Sequence, residues 1–133
     1  SSLLNNIRYR LIKNSKFVKY LGFKKDYINT FKKIDCLISP SYTEGAGTSV
    51  MEAMMSKLFV IVYSNAGHNY VIKNSGNFIC KQNNVKNIVK NVEKFLQLPF
   101  SKINIILKNS RNRIIKNFLT KHVVFKLKKI IHI

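Results

Sequence analysis

Leu58-Phe59-Val60-Ile61-Val62-Tyr63 is the most continuous apolar run in the chain. It is far too short to cross a membrane, which takes roughly 18–20 apolar residues. It lacks the alternation of a strand with one wet face. A run of this length, rich in β-branched and aromatic residues, reads as a strand buried on both faces. Such strands belong to parallel sheets with helices on either side.

The rest of the chain fits that architecture. Apolar segments at 17–21, 36–38 and 77–80 read as further strands, the first stopped by Gly22 and the second by Pro40. Between them lie amphipathic stretches at 3–12, 27–34 and 48–57, the last with Met51, Met54, Met55 and Leu58 on its apolar side. Helices then take over. Ile88, Val89, Val92, Phe95 and Leu96 form one stripe, ended by Pro99; Ile103, Ile106, Leu107 and Ile114 form a second; Val123, Val124, Leu127, Ile130 and Ile131 form a third. The expected fold class is α/β, a partial doubly wound parallel sheet with C-terminal helices.

Composition narrows the function. The formal net charge is +19, from 24 basic and 5 acidic residues. Such a field attracts anions. The cations are mostly lysines, however, and they accompany many asparagines and isoleucines, residues of AT-rich codons. A nucleic-acid-binding module would need clustered arginines, exposed aromatics or a recognisable motif. Only four arginines are present, so no nucleic-acid partner is expected. Cys36 and Cys80 lie far apart inside apolar segments and read as reduced thiols in buried strands, the state of a reducing compartment. No Cys or His pair has the spacing of a zinc site, and no metal or cofactor is expected.

In open parallel sheets, ligands sit beyond the carboxyl ends of the strands. The segment from Pro40 to Met54 leaves a strand at that end and reads Pro-Ser-Tyr-Thr-Glu-Gly-Ala-Gly-Thr-Ser-Val-Met-Glu-Ala-Met. Gly45 and Gly47 permit close backbone approach and positive φ. The helix that follows offers free N–H groups and its positive dipole end, an anion site suited to a diphosphate. Thr48, Glu52 and Ser56 recur every four residues as a polar stripe, so Glu44 above the helix and Glu52 within it can line one crevice. A plainer reading stands beside this one: Ser49 and Glu52 fit a capping box, and the glycines fit ordinary turns.

The segment resembles the signature of the GT-B retaining glycosyltransferases, group 1 or family 4. That signature is P-S, then E-G-x-G, then E-A-M, here Pro40-Ser41, Glu44-Gly45-Ala46-Gly47 and Glu52-Ala53-Met54. Val18-Lys19-Tyr20-Leu21-Gly22, Asp35-Cys36-Leu37-Ile38, Val60-Ile61 and Asn77-Phe78-Ile79 resemble the family's neighbouring strands in the same order. Lys57 stands where the family usually has glycine, Phe59 where it has proline, and Tyr70 where a glutamate is common. A left-handed lysine at 57 would cost about 1 kcal/mol relative to glycine.

The resemblance implies transfer of a sugar from a nucleotide-sugar donor to a glycan or lipid-linked acceptor, with retention and without a metal. It implies that Glu44 binds donor-sugar hydroxyls and supports the sugar as its bond to phosphate breaks. Glu52 would hold the ribose. Backbone amides of Gly45, Ala46 and Gly47 would face the sugar, and those of Thr48 and Ser49 the diphosphate. Phe23 and Lys24 would form the base-binding edge. It further implies an acceptor-binding domain, and the first strands of this one, outside the chain or on a partner chain, so that the isolated fragment is inactive. The setting would be bacterial surface polysaccharide synthesis, such as lipopolysaccharide, at the cytoplasmic side. The apolar stripe of 120–133 itself has two readings: it packs on this domain or on the absent one, or it lies on an anionic bilayer as a peripheral membrane contact. The alternatives are a noncatalytic GT-B subunit supporting a partner chain and a nucleotide-sugar epimerase.

Overall fold

The computed structural model describes residues 15–22, 24–25, 28–45 and 47–119. In chain order the elements are α1 (Ile28–Phe31), β1 (Cys36–Ser39), α2 (Thr48–Met55), β2 (Phe59–Tyr63), α3 (Ala66–Ile72), β3 (Phe78–Cys80), α4 (Val85–Leu96) and α5 (Phe100–Asn117). The strands form one parallel sheet in the order β1-β2-β3. Cys36 pairs with Phe59 at one seam, and Ile61 with Phe78 at the other. The expected α/β class and the adjacency of these three strands are both present.

The central strand explains the layering. All five residues of β2 are buried. Because side chains alternate across a strand, Val60 and Val62 point to one face and Phe59, Ile61 and Tyr63 to the other. The first face packs against Val50, Ala53 and Met54 of α2, Val71 and Ile72 of α3, and Ile114 near the end of α5. The second packs against Ile88, Val92 and Phe95 of α4 and Ile106 of α5. Phe59 holds that second layer through its ring contacts with Phe78 and Phe95, at centroid distances of 4.9 and 4.7 Å. The long helix α5 therefore serves both layers.

Polar groups inside this core are paired. Asn77 joins strand to helix: its Oδ1 accepts from the backbone N–H of Val60 at 2.9 Å, and its Nδ2 donates to Ser110 Oγ on α5 at 2.6 Å. Ser110 in turn donates to the Ile106 carbonyl at 2.7 Å. Arg113, one turn further on, donates through Nε and Nη2 to the carbonyls of Val71 and Tyr70. These are last-turn carbonyls of α3, which a helix C-terminus leaves without intrahelical donors.

Several expectations need correction. Residues 17–21 form no strand; Phe17 is 97% exposed, and Val18, Tyr20 and Leu21 are exposed too. An apolar run becomes a strand only when a ladder partner takes its backbone groups, and among the described residues β1 pairs only with β2. The helix expected at 27–34 shrinks to one turn, anchored by the buried Phe31. On α4, Val89 and Leu96 face outward, and Asn91 takes an inner position instead, donating to Cys80 Sγ at 3.3 Å. Both cysteines are free thiols on strands. The stripes at 3–12 and 120–133 lie outside the described residues. Among the described residues no helix is long and apolar enough to cross a membrane.

Candidate functional site

The segment joining β1 to α2 runs along the carboxyl end of the sheet, and residues that follow β2 and β3 hold it there. Asn65 Nδ2 donates to the Ser41 carbonyl at 2.9 Å. The Tyr42 hydroxyl donates to the Asn83 carbonyl at 3.1 Å, and its ring meets that of Tyr63 edge-on at 5.2 Å. Asn83 exchanges two bonds with the backbone of Ser64, both 2.9 Å. The ends of all three strands are thereby tied together around this loop.

Of the two glycines, only Gly47 takes positive φ, at 57° with ψ 47°, and it is the N-cap of α2. A left-handed residue at that point turns the chain sharply from the loop into the helix, a position where glycine meets no steric penalty. Gly45 serves differently: a β-carbon there would meet nothing within 4 Å, so its side of the loop is open. Gly67, near the start of α3, is packed against the carbonyls of Glu44 and Gly45. The loop is open above and closely supported beneath.

The capping box does not form. Gly47 provides no side-chain cap, and Ser49 already lies inside the helix rather than before it. Glu52 is therefore not committed to capping. It is half-buried, as is Glu44, whereas Thr48 and Ser49 are exposed. Neither carboxylate has a hydrogen-bond or ionic partner among the described residues. The first intrahelical bond runs from the N–H of Met51 to the Gly47 carbonyl at 3.0 Å. The N–H groups of Thr48 and Ser49 precede it and are available to an acceptor. Lys24 is exposed; Phe23 and Ala46 lie outside the described residues.

The same helix ends as the glycine substitution implied. Lys57 adopts φ 60°. The Leu58 N–H donates to Ala53 O at 2.9 Å and the Lys57 N–H to Met54 O at 3.2 Å. This pair of bonds is the Schellman motif, with lysine at the position that favours glycine.

The support beneath the loop was not foreseen. Residues 66–72 carry Gly67, His68 and Asn69, poor helix formers that hide α3 in the sequence; the usable signal is Asn65, whose Oδ1 caps α3 by accepting from the His68 N–H at 2.8 Å. His68 itself is fully buried under Gly47. A separate groove of about 360 Å3 lies at the amino end of the strands, between Asp35, Lys57 and the junction of α4 and α5. It is on the side of a parallel sheet where ligands do not ordinarily bind. Among the described residues no three His, Cys, Asp or Glu side chains come together.

Comparison with individual curated proteins returned no match. A family model does match, and it spans residues 6–119, from before β1 to beyond the end of α5. Its description is glycosyl transferases group 1, and the chain belongs to that family.

Proposed function

We propose that this chain forms the donor-binding part of a retaining glycosyltransferase, taking a sugar from a nucleotide-sugar and passing it to a glycan or lipid-linked acceptor. The observation that carries this reading is the β1–α2 connection: a supported loop with Glu44 on it, a left-handed Gly47, free N–H groups at Thr48 and Ser49, and Glu52 clear of any capping role.

The chemistry is coherent. Cleavage of a glycosyl phosphate builds negative charge on the departing oxygens. Fixed N–H dipoles at a helix start stabilise that charge as it forms. In this reading Glu44 binds sugar hydroxyls, and Glu52 accepts from ribose hydroxyls. Lys24 and Phe23 would border the base. The acceptor domain and the first strands of this domain would be supplied by sequence outside this chain or by a partner chain. Synthesis of a bacterial surface polysaccharide at the cytoplasmic face of the membrane is the setting we assign by family analogy.

The test is titration of the complete enzyme with UDP, GDP and ADP. Glu52→Ala should weaken the preferred nucleotide by about 1.5–3 kcal/mol, the worth of a charge-assisted hydrogen bond. In the complete enzyme, Glu44→Ala should mainly lower turnover. Unchanged affinity in Glu52→Ala would remove the ribose assignment.

A further inference from the structure

We propose that His68 is a positioning residue, whose buried imidazole sets the Glu44–Gly47 loop for donor binding; this rests on the donor-site reading above. The ring is 0% exposed and touches each part that shapes the loop. Nε2 lies 3.4 Å from Oγ of Ser39, the last residue of β1. Nδ1 lies 3.0 Å from the carbonyl of Tyr63, the last residue of β2, and 2.9 Å from Asn65 Nδ2. A β-carbon on Gly47 would stand 3.3 Å from Cδ2. The same Asn65 amide group reaches the Ser41 carbonyl, and the preceding residue, Gly67, abuts Glu44 and Gly45. The loop therefore rests on one short stretch, Asn65 to His68.

A residue that only filled space here would be apolar. His68 faces polar groups that a hydrocarbon would leave unsatisfied. Either neutral tautomer satisfies Ser39 and one of the two groups at Nδ1. With the proton on Nδ1, the ring donates to the Tyr63 carbonyl and Nε2 accepts from Ser39. With it on Nε2, the ring donates to Ser39 Oγ and accepts from Asn65. In both arrangements the flat ring carries Gly47 above it. A loop held at this many points is preorganised, and preorganisation of groups that meet a ligand governs affinity and rate.

The experiment follows the backbone amides of Gly47 and Ser49 by 15N NMR while the complete enzyme is titrated with UDP, GDP and ADP. His68→Leu should weaken the preferred nucleotide about tenfold and displace both amide signals in the free protein. His68→Gln, which keeps a polar end toward Ser39, should recover most of the affinity. Ser110→Ala, a control on α5 whose hydroxyl bonds Asn77 and Ile106 rather than α3, should lower the melting temperature without changing affinity. A folded His68→Leu with wild-type affinity and unmoved amides overturns the proposal. Should that variant fail to fold, the wild-type ring decides: its Cδ2–H signal should shift along the same isotherm as Ser49, and a stationary signal overturns the proposal. If none of the three nucleotides binds the wild-type complete enzyme, the donor-site reading falls before any His68 variant is compared.

Discussion

The α-carbon of Gly67 lies against the Glu44 carbonyl so closely that a β-carbon would overlap it, with the Gly45 carbonyl only 2.8 Å from the same point. Both contacts are to backbone, so no side chain can swing aside. Gly67→Ala should cost about 1–3 kcal/mol, the usual penalty of overpacking. Gly45→Ala, with open space around it, should leave the melting temperature within a degree or two of wild type. Equal melting temperatures for Gly67→Ala and wild type would mean that the loop does not rest on α3.

Lys57 offers the opposite change. Its left-handed backbone closes the Schellman turn after α2 and carries a steric cost that glycine lacks. Lys57→Gly should raise stability by about 1 kcal/mol and the melting temperature by about 3–5 °C. Lys57→Asn should fall between, because asparagine tolerates this conformation better than lysine. A melting temperature unchanged by glycine would show that the turn relaxes in solution.

Arg113 spans two carbonyls at the end of α3 and lies 5.7 Å from the Phe118 ring centroid. Arg113→Ala should cost about 2–3 kcal/mol, read from the urea midpoint at constant slope. Lysine, a point charge without the planar fork, should recover about half. Full recovery by lysine would reduce the interaction to charge alone.

Cys36 should react slowly despite being only partly buried. Burial, and then the neighbouring Asp35 carboxylate, push its thiol from 9.0 up to about 12. At pH 8 its thiolate fraction, and hence its alkylation rate, should be roughly a thousandfold below that of an ordinary thiol. Peptide mass spectrometry after iodoacetamide treatment checks this. The linkage runs one way. The raised folded value keeps the proton on the native chain, so this contribution to stability is whole below pH 9 and fades as pH climbs toward 12. Alkylation of native Cys36 as fast as in the unfolded chain would contradict the assigned environment.

How much was legible follows from where the information lies. β2 announced itself because an unbroken apolar run has few places to go in a soluble fold. α2 did so because its methionines and its polar stripe follow a helical period. The Glu44–Glu52 segment was visible because two glycines and two acids stand at fixed spacing where the loop after β1 enters α2. α3 was hidden because its first turn is built from Gly67, His68 and Asn69, chosen for what lies above them rather than for helix propensity. Residues 17–21 misled for the converse reason: local apolarity suggests a strand, but a ladder needs a second chain segment that local sequence does not reveal. The capping box failed because spacing alone does not tell which residue turns the corner, and Gly47 turns it two residues earlier.

Asn65, Asn77 and Asn83 each direct an amide N–H toward an oxygen at a junction of the sheet: the Ser41 carbonyl, the Ser110 hydroxyl and the Ser64 carbonyl. An asparagine amide is also a bond that water slowly hydrolyses. Deamidation at any one of the three would exchange its donors for a carboxylate, and at Asn65 and Asn83 that negative charge would face a carbonyl it cannot bond. A chain that fastens its ligand-side loops with asparagine thus has a chemical shelf life as well as a melting point. The loop around Glu44 loses its Ser41 tie when Asn65 is the one that reacts.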